Sequence, residues 1–315
     1  MLDIVIVNWN SDSQLRECLL SVSSTLEIKD IVSKIVVVDN GSTDGSQLGL
    51  SCGTMPVALI QIGNNIGFAA ACNMGAALGE SELILFLNPD TKIYDGSLKI
   101  PSKYISDNCT CGIVGIQMVD ELNQISRTCS RFPSTHYFFN HCIGLDKLFP
   151  KWFYGTTMRE WDHSYTRNVD QVIGAFFLVR RPLYEKLGGF DERFFVYYEE
   201  VDFCLRAKKL GYSSVYIADA KAYHRGGGST SKVLGKRLAY TLKSRLIYGF
   251  KNLSLISAWS LLVLLIFIEP LTRLMWLVGT FRISEIKYLF EGYYLLFREL
   301  GSAIQVGLEA RDSKT

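Results

Sequence analysis

Polar residues that could contact a ligand stand directly after four apolar runs in the first third of the chain. They are Asn8-Trp9-Asn10, Asp39-Asn40-Gly41-Ser42-Thr43-Asp44-Gly45, Gly63-Asn64-Asn65-Ile66-Gly67 and Asn88-Pro89-Asp90. In an open sheet of parallel strands, ligands bind at the carboxyl ends of the strands. We therefore expect one pocket to collect all four groups.

The second group suits the base and ribose of a nucleotide. Asp39 follows a buried run, where its carboxylate can accept the imide N–H of a pyrimidine, and the glycines and Ser42 that follow let the backbone turn tightly. Taken alone, Asp-Asn-Gly-Ser is typical of a turn and helix cap. Its coincidence with the other strand ends favours a ligand site, in which Asn65 or Asn73 could bond the base or ribose.

A carboxylate at the end of a strongly apolar run suits a divalent cation. Asp90 follows the run from Leu83 to Leu87 and is held by Pro89, so it can bind a hard cation such as Mg²⁺ or Mn²⁺. Such a cation would bridge the two phosphates of a nucleotide sugar and neutralise the leaving group. His224 is a second candidate ligand or phosphate contact, better suited to Mn²⁺ than to Mg²⁺, with a structural role as the alternative.

Three acidic residues cluster just after an aromatic stretch at 194–198. Glu199, Glu200 and Asp202 repel one another unless a cation or a proton-transfer role compensates. One of them could act as the general base that deprotonates an acceptor hydroxyl. The alternative is an exposed acidic helix start, which the helix dipole favours.

The elements that must position these residues alternate between strands and helices. Apolar runs at 4–7, 35–38, 58–62 and 83–87 predict strands, and the patterns near 14–24 and 69–78 predict helices. This alternation indicates an α/β fold with a Rossmann-like, mostly parallel central sheet flanked by helices.

The later part of the chain changes character. We expect a strand within 171–180, a helix at 196–209, and a strand at 215–217 that leads to His224 and the glycines at 226–228. The segment 151–167, rich in Trp, Tyr and His, predicts a loop over the acceptor side. After residue 231 the pattern predicts helices only.

Composition limits the class of protein. The 315 residues include 48% apolar side chains and carry a formal net charge of +2, which favours one large domain with a C-terminal appendage and disfavours disorder. The eight cysteines are scattered, so we expect small apolar fillers rather than a zinc site or a disulfide framework. The first residues lack a cationic lead and a cleavage site, so they predict a buried strand and a cytosolic catalytic part.

Basic residues gather where the apolar content rises. Between 221 and 268 the chain has Lys and Arg but no Asp or Glu, and this stretch ends in the apolar segment 261–268. The pairing favours an anionic lipid surface over a nucleic acid, with a solvated basic helix as the alternative.

The apolar stretch 253–268 is shorter than the ~20 residues expected of a spanning helix, and Glu269-Pro270 interrupts it. We therefore expect peripheral docking on a membrane, with Trp259 and Trp276 as interfacial anchors. The competing hypothesis is that these helices pack on one another or on a second subunit, as in a homo-oligomer.

Taken together, the motifs resemble family 2 glycosyltransferases, and within them most closely the bacterial rhamnosyltransferase-like branch. The resemblance covers roughly 2–231 in order and spacing. It implies a GT-A fold, an inverting single displacement and a divalent metal, Mg²⁺ or Mn²⁺. The segments that carry it are Ile6-Val7-Asn8-Trp9-Asn10, Val37 to Gly45, Asn65-Ile66-Gly67-Phe68, Leu87-Asn88-Pro89-Asp90, Gly189 to Phe195 and Glu199-Glu200-Val201-Asp202.

The resemblance also implies roles by position. Asp39 would contact the base, Asp90 the metal, and His224 with the glycine-Ser-Thr segment after it the diphosphate or metal. Many relatives have Glu-Asp where this chain has Glu199-Glu200, so Glu200 occupies the usual position of the base, with Glu199 and Asp202 as support. The predicted nucleotide contacts are Val7, Asn8, Asn10, Asp39, Asn40, Ser42, Asn65, Gly67, Asn73, Asn88 and Pro89.

We accordingly predict a catalytic domain at 1–231 and a helical region at 232–315 that docks on a membrane or a subunit. The expected donor is a nucleoside-diphosphate sugar, with dTDP-rhamnose first, although the branch includes enzymes resembling galactofuranosyl and N-acetylhexosaminyl transferases. The expected acceptor is a polyprenyl-linked glycan or a polysaccharide at the inner face of the membrane.

Two other functions stay open at this point. A sugar nucleotidyltransferase shares a related sheet and metal site, but the chain has no glycine-rich N-terminal loop with a basic residue for a triphosphate. A non-catalytic subunit of a synthase could bind the same donor, but it has no need of the acidic cluster.

Overall fold

The computed structural model of this chain describes residues 1–149, 151–226 and 233–313, with the backbone alone at residue 147. The glycines at 227 and 228, the Ser-Thr segment after them and the predicted boundary between 231 and 232 lie outside the described residues. The strands are β1 (Leu2–Asn8), β2 (Val32–Asp39), β3 (Val57–Gln61), β4 (Leu83–Leu87), β5 (Thr91–Ile93), β6 (Cys111–Val119), β7 (Ile125–Ser126), β8 (Arg167–Val169), β9 (Phe176–Arg180) and β10 (Ser213–His224). The helices are α1 (Gln14–Ser24), α2 (Ile28–Ile31), α3 (Phe68–Ala76), α4 (Lys99–Asp107), α5 (Thr135–Cys142), α6 (Leu145–Leu148), α7 (Arg181–Lys186), α8 (Glu199–Lys209), α9 (Leu234–Asn252), α10 (Leu255–Val263), α11 (Glu269–Gly279) and α12 (Ile286–Asp312), with a π-helical turn at Leu264–Ile268 and a 3₁₀ turn at Ile283–Glu285.

The strands form one mixed sheet in the order β3-β2-β1-β4-β9-β6-β10-β5. The first four strands along the chain are parallel neighbours, which confirms the prediction from the alternating pattern. Strand β9 runs antiparallel to both β4 and β6, so the far half of the sheet departs from the parallel arrangement. The carboxyl ends of β1, β2, β3 and β4 consequently lie at one edge.

Burial on both faces explains why these strands are continuous apolar runs. Every residue of β1 and β4 is buried, and the face of α1 that packs on the sheet presents Leu15, Cys18, Leu19 and Val22 at helical spacing. Helix α3 approaches even closer, because a Cβ at Gly75 would lie 2.4 Å from Val5 Cγ1. Small residues in α3 thus allow a helix to lie directly on the strands that carry the polar ends.

The acidic helix begins later than the sequence predicts. The prediction covered 196–209, whereas α8 begins at Glu199, because Tyr197 and Tyr198 adopt left-handed backbone with φ of 68° and 72°. Such a conformation is costly for an aromatic residue and ends helical geometry there. Strand β10 in turn is longer than predicted, since an irregularity between Ile217 and Lys221 lets it continue to His224.

The described residues divide into two compact units. The first contains Met1–Ser130, Trp161–Glu192 and the described part of Glu199–Ser229, and holds the sheet. The second contains Arg131–Glu160, Arg193–Tyr198 and the described part of Thr230–Thr315. Two segments that the sequence analysis placed in the catalytic domain therefore cluster with the C-terminal helices.

The C-terminal part is helical, as predicted, but Pro270 does not interrupt it. The helix continues from Leu255 to Gly279 through the π-helical turn, which shifts the hydrogen-bond pattern just before the proline. This run has 25 residues and includes an 18-residue window with a mean hydropathy of 2.1, so among the described helices it is long and apolar enough to cross a membrane by those two criteria. The expectation of an apolar stretch too short to span is corrected in that respect.

Seven of the eight cysteines are buried, which confirms their prediction as small apolar fillers, and Cys109 is exposed. Burial raises the pKa of Cys52 and of Cys111 to about 11, so both thiols stay protonated and packed at neutral pH.

Candidate active site

The side chain of Asn8 ties the end of β1 to the loop that follows β2. Its Nδ2 donates to Asp39 Oδ1 (2.8 Å), Ser42 Oγ (3.0 Å) and Ser46 Oγ (2.9 Å), and its Oδ1 accepts from the Ser11 hydroxyl. Asp39 Oδ2 accepts from the N–H of Ser42 (3.2 Å). The carboxylate of Asp39 is buried and fixed in direction, and each of its oxygens keeps lone-pair capacity for a ligand.

The loops after β1 and β2 are held together by a second set of bonds. Asn10 donates its N–H to Ser42 Oγ (3.0 Å), and its Oδ1 accepts from the N–H of Thr43 (2.8 Å). Asp44 Oδ2 accepts from the N–H of Asp12 (2.8 Å). Asn10 and Asp12 take left-handed φ of 48° and 52°, which short polar residues tolerate best.

The end of β3 joins the same edge through Asn40. Its Nδ2 donates to Asn65 Oδ1 (3.0 Å) and to the carbonyl of Gly67 (3.1 Å), and its Oδ1 accepts from the N–H of Ile66 (2.9 Å). Gly41 is required beside it, because a Cβ there would lie 2.8 Å from backbone atoms of Asn64 at a φ of 79°. The structure thus brings together the predicted residues Asn8, Asn10, Asp39, Asn40, Ser42, Asn65 and Gly67.

The predicted metal ligands meet through strand pairing. Strand β5 follows Asp90 directly and pairs with the end of β10, where Thr91 is in register with His224. The N–H of Arg225 donates to the carbonyl of Asp90 (3.2 Å). His224 Nε2 consequently lies 3.3 Å from Asp90 Oδ1, with both side chains largely buried.

This pair fits a divalent cation as part of a ligand set. A carboxylate oxygen and an imidazole nitrogen are suitable ligands for Mn²⁺, and the carboxylate also suits Mg²⁺. Within 1–149, 151–226 and 233–313, no group of three or more His, Cys, Asp and Glu is placed to hold a metal ion. Asp90 and His224 would therefore supply two of the ligands of a cation at this position.

The two glutamates at the start of α8 differ in exposure. Glu199 is buried, whereas Glu200 is partly exposed. Burial, and then the charge of Glu200, raise the pKa of Glu199 well above the usual range of a carboxyl group. The environment of Glu199 accordingly favours its protonated form.

Asp202 lies in a buried ion pair. Its Oδ2 accepts from Arg206 Nε (2.7 Å), one helical turn further along α8. Arg206 also donates to the carbonyls of Leu187 (2.7 Å) and Gly189 (2.9 Å). The sequence analysis treated Asp202 as one of three acids and did not predict its ion pair with Arg206, although a spacing of four residues in a helix indicates such a pair.

Asn73 on α3 binds the same turn, at Phe190. Its Nδ2 donates to the carbonyl of Phe190 (2.9 Å) and to Glu192 Oε1 (2.9 Å), and its Oδ1 accepts from the N–H of Phe190 (2.9 Å) and from the Tyr184 hydroxyl. The amide thus makes four hydrogen bonds within the protein, and a contact of Asn73 with the nucleotide stays a prediction.

The remaining predicted residues lie at strand ends. Val7 is buried near the end of β1, and Asn88 and Pro89 are partly exposed after β4, with the N–H of Asn88 donating to the carbonyl of Ala175 (3.0 Å). Ser11 and Ser46 complete the Asn8 network, and no sequence signal beyond their polarity singles them out.

Two family models match the chain. The model described as "Glycosyl transferase family 2" matches residues 3–188, and the model described as "Glycosyl transferase family group 2" matches residues 118–299.

Named relatives and a solved structure agree with these matches. The chain is 29% identical over 260 residues to the N-acetylglucosaminyl-diphospho-decaprenol L-rhamnosyltransferase of Mycobacterium tuberculosis, covering 79% of this chain and 83% of that protein. It is 25% identical to the rhamnosyltransferase WbbL of Escherichia coli K12, covering 79% of this chain and 92% of that protein. The mannosyltransferase PcManGT of Pyrobaculum calidifontis, solved in complex with GDP-Man and Mn²⁺, superposes with a TM-score of 0.53 at 16% identity, covering 99% of this chain and 86% of that one.

Proposed function

Because this chain belongs to glycosyl transferase family 2, we propose that it moves rhamnose from dTDP-rhamnose to a polyprenyl-linked or polysaccharide acceptor. The chain is a rhamnosyltransferase-like family 2 glycosyltransferase with the GT-A fold, as its motifs predicted. The observation that carries the proposed chemistry is the approach of His224 to Asp90 at the edge where the polar strand ends gather. The names of both relatives support rhamnose as the transferred sugar, and the decaprenol in the mycobacterial name supports a lipid-linked acceptor.

The nucleotide would bind at the strand ends joined by Asn8. Asp39 is positioned to accept an N–H of the base, because its carboxylate is held by Asn8 and by the N–H of Ser42. The crossing bonds between the loops fix this site before any ligand arrives, which lowers the entropy cost of binding.

Asp90 and His224 would hold a divalent cation, Mg²⁺ or Mn²⁺, next to the diphosphate. When bound, the cation supplies positive charge that neutralises the leaving nucleoside diphosphate. The protein's own part is to hold the carboxylate and the imidazole together by the pairing of β5 with β10.

Glu200 is the proposed general base. Its carboxylate would take the proton of the acceptor hydroxyl as that oxygen attacks the anomeric carbon and the bond to the diphosphate breaks, which inverts the configuration. Asp202 acts as a positioning residue, since it holds Arg206 against the turn at 187–189.

We further propose that the domain at 1–231 is catalytic and that 232–315 brings it to the inner face of a membrane, where the acceptor is presented.

The proposal is tested by donor binding and by transfer. A ligand that binds only the folded state raises its apparent stability, so dTDP-rhamnose should raise the Tm of the purified protein when Mn²⁺ or Mg²⁺ is present, and more than other nucleotide sugars do. Asp90→Ala should abolish both the metal-dependent increase in Tm and the transfer of rhamnose.

The matched control is Asp107→Ala, which removes an exposed carboxylate at the end of α4. It should leave both measurements unchanged. Transfer at the rate of the unmodified protein by Asp90→Ala would contradict the mechanism, whereas a preference for another donor would change only the sugar. Release of pyrophosphate from a sugar phosphate and a nucleoside triphosphate would favour a nucleotidyltransferase instead.

A further inference from the structure

One face of the helical run from Leu255 to Gly279 is apolar and exposed. Seven of its side chains recur at intervals of three or four residues, and each is at least half exposed. At 1.5 Å per residue this face is about 33 Å long. The seven residues, called the apolar stripe below, are Ile256, Trp259, Val263, Phe267, Leu271, Met275 and Val278.

The opposite face of the same run is anchored in the second unit by charge. Glu269 is buried, and its carboxylate accepts from Arg245 Nη1 (2.7 Å) and from Arg273 Nη2 (2.6 Å). Ala258, Leu261 and Leu265 on this face are fully buried. To cross a bilayer as a separate helix, the run would have to break the ion pair with Arg245 and carry a carboxylate into lipid, which costs several kcal/mol.

The residues that follow the stripe are also apolar and exposed. Phe281 is 89% exposed and is held with a left-handed φ of 56°, and Ile283 is also exposed. Arg282 lies between them, with its guanidinium 5.1 Å from the ring centre of Trp276. An aromatic ring beside a cation at a helix end is typical of residues at the level of lipid headgroups.

The net charge of the C-terminal helices indicates which kind of partner the apolar stripe binds. From 233 to 313 the chain has ten Lys and Arg and six Asp and Glu, a net charge of +4, and Glu269 is buried between Arg245 and Arg273. Lys236 and Arg237 are exposed, and the exposed Arg282 is paired with Glu285. A basic, apolar surface complements an anionic bilayer, whereas it would place like charges together against a second copy of itself.

We propose that the apolar stripe lies in the headgroup boundary of an anionic bilayer, with the run from Leu255 to Gly279 parallel to the membrane plane. A shallow depression of about 440 Å³ opens beside it, lined by Thr135, His136, Phe139, Ser260, Val263 and Leu264. Val263 belongs to both the stripe and the depression, so the surface in contact with lipid extends onto α5. This inference rests on the proposed function, because an acceptor with a polyprenyl chain is presented at a membrane.

Vesicle flotation tests the proposal in the absence of donor and acceptor. The purified full chain should float with vesicles of equimolar phosphatidylcholine and phosphatidylglycerol, and at least tenfold less with phosphatidylcholine alone. The variant carrying Phe267→Asp and Leu271→Asp should lose at least tenfold in partitioning to the anionic vesicles. Its matched control carries Leu26→Asp and Leu122→Asp, two exposed leucines of the first unit, and should float as the unmodified chain does.

If the stripe does not lie on a bilayer in this way, the same measurements give different results. Flotation of the stripe variant equal to that of the control would overturn the proposal, as would a dimer in light scattering that dissociates in the stripe variant while neither protein floats. Retention in membranes after extraction with alkaline carbonate would indicate a spanning helix and also overturn it, because an in-plane helix is released. Circular dichroism and a second variant, Phe267→Ala with Leu271→Ala, separate loss of binding from loss of folding. Failure here with an intact donor-dependent Tm would leave the proposed function standing.

Discussion

The adjacent glutamates at the start of α8 show how burial divides one chemical type into two roles. Glu199 is enclosed, and burial raises its pKa well above the usual range of a carboxyl group, which favours the protonated form and disfavours a role as base. Glu200 is partly exposed and lies on the same first turn of the helix. The contrast favours Glu200 as the group that takes the proton of the acceptor.

Substitution of each glutamate by glutamine should therefore have unequal effects. Glu200→Gln removes the proton acceptor and should lower kcat by about 10²–10⁴-fold. Glu199→Gln replaces a carboxyl whose raised pKa favours the neutral form by a neutral group of the same shape, so kcat should fall by less than about tenfold. Steady-state kinetics of both variants across pH checks this; a larger loss in Glu199→Gln would reverse the assignment.

The pKa of Glu199 also has a consequence for stability. Because the native pKa is raised, the folded chain holds a proton that the unfolded chain releases above about pH 4.3, so this group lowers the free energy of unfolding as pH rises toward the native pKa. Glu199→Gln removes that dependence. Urea unfolding at pH 5 and pH 8 should show the variant gaining stability over the unmodified chain at the higher pH; an equal difference at both pH values would contradict the raised pKa.

At the scale of elements, the turn before α8 is held from two sides. Arg206 on α8 binds the carbonyls of Leu187 and Gly189, and Asn73 on α3 binds both backbone polar groups of Phe190. The turn therefore links α3, which packs on the strands of the nucleotide site, to the helix that carries the proposed base.

Two neighbouring glycines in this turn provide a matched comparison. Gly188 and Gly189 both have left-handed φ, 70° and 75°, but only at Gly189 would a Cβ meet another group, Asn73 Oδ1 at 2.5 Å. Gly188→Ala should cost about 1–2 kcal/mol of backbone strain. Gly189→Ala should cost measurably more in urea unfolding and should weaken donor binding, whereas equal costs would mean that the Asn73 contact does not constrain the turn.

The ion pair under the apolar stripe makes a second prediction for elements. The two arginines lower the pKa of Glu269 to about 2 despite its burial, so its stabilisation is complete above about pH 4.3 and is lost as pH falls through about 2. Glu269→Gln leaves Arg245 buried without its counter-charge and should cost about 3–5 kcal/mol at pH 7. Glu285→Gln, whose partner Arg282 is half exposed, is the control and should cost less than about 1 kcal/mol.

How far the sequence predicts these elements depends on whether the cause is local. The ends of β1 to β4 and the bounds of α1 follow from apolar runs and helical spacing, so both the strand ends and their common edge were predictable. The left-handed Tyr198 was not, because its ring packs at a tilt against Tyr248, fifty residues away, with ring centres 5.5 Å apart. The hydrogen bonds of Asn73 to Phe190 were likewise not predictable, since Phe190 belongs to a distant segment. Pro270 suggested an end to the helix because the π-helical turn before it leaves no simple sequence signal.

At the scale of the molecule, the proposed division between a catalytic unit and a membrane-docking unit can be measured. If the second unit positions a lipid-linked acceptor by lying on the membrane, the variant with Phe267→Asp and Leu271→Asp should raise KM at least tenfold for a polyprenyl-linked acceptor in anionic vesicles. The same variant should leave unchanged KM for a short-chain, water-soluble acceptor and the metal-dependent increase in Tm with donor, because neither measurement involves a bilayer. An increase in KM for both acceptors would mean that the stripe contributes to the site itself, and an increase for neither would mean that the acceptor reaches the site from solution. The comparison thus distinguishes two ways in which the stripe could lower KM. It could raise the local concentration of acceptor by holding the enzyme at the membrane, or it could bind the acceptor directly.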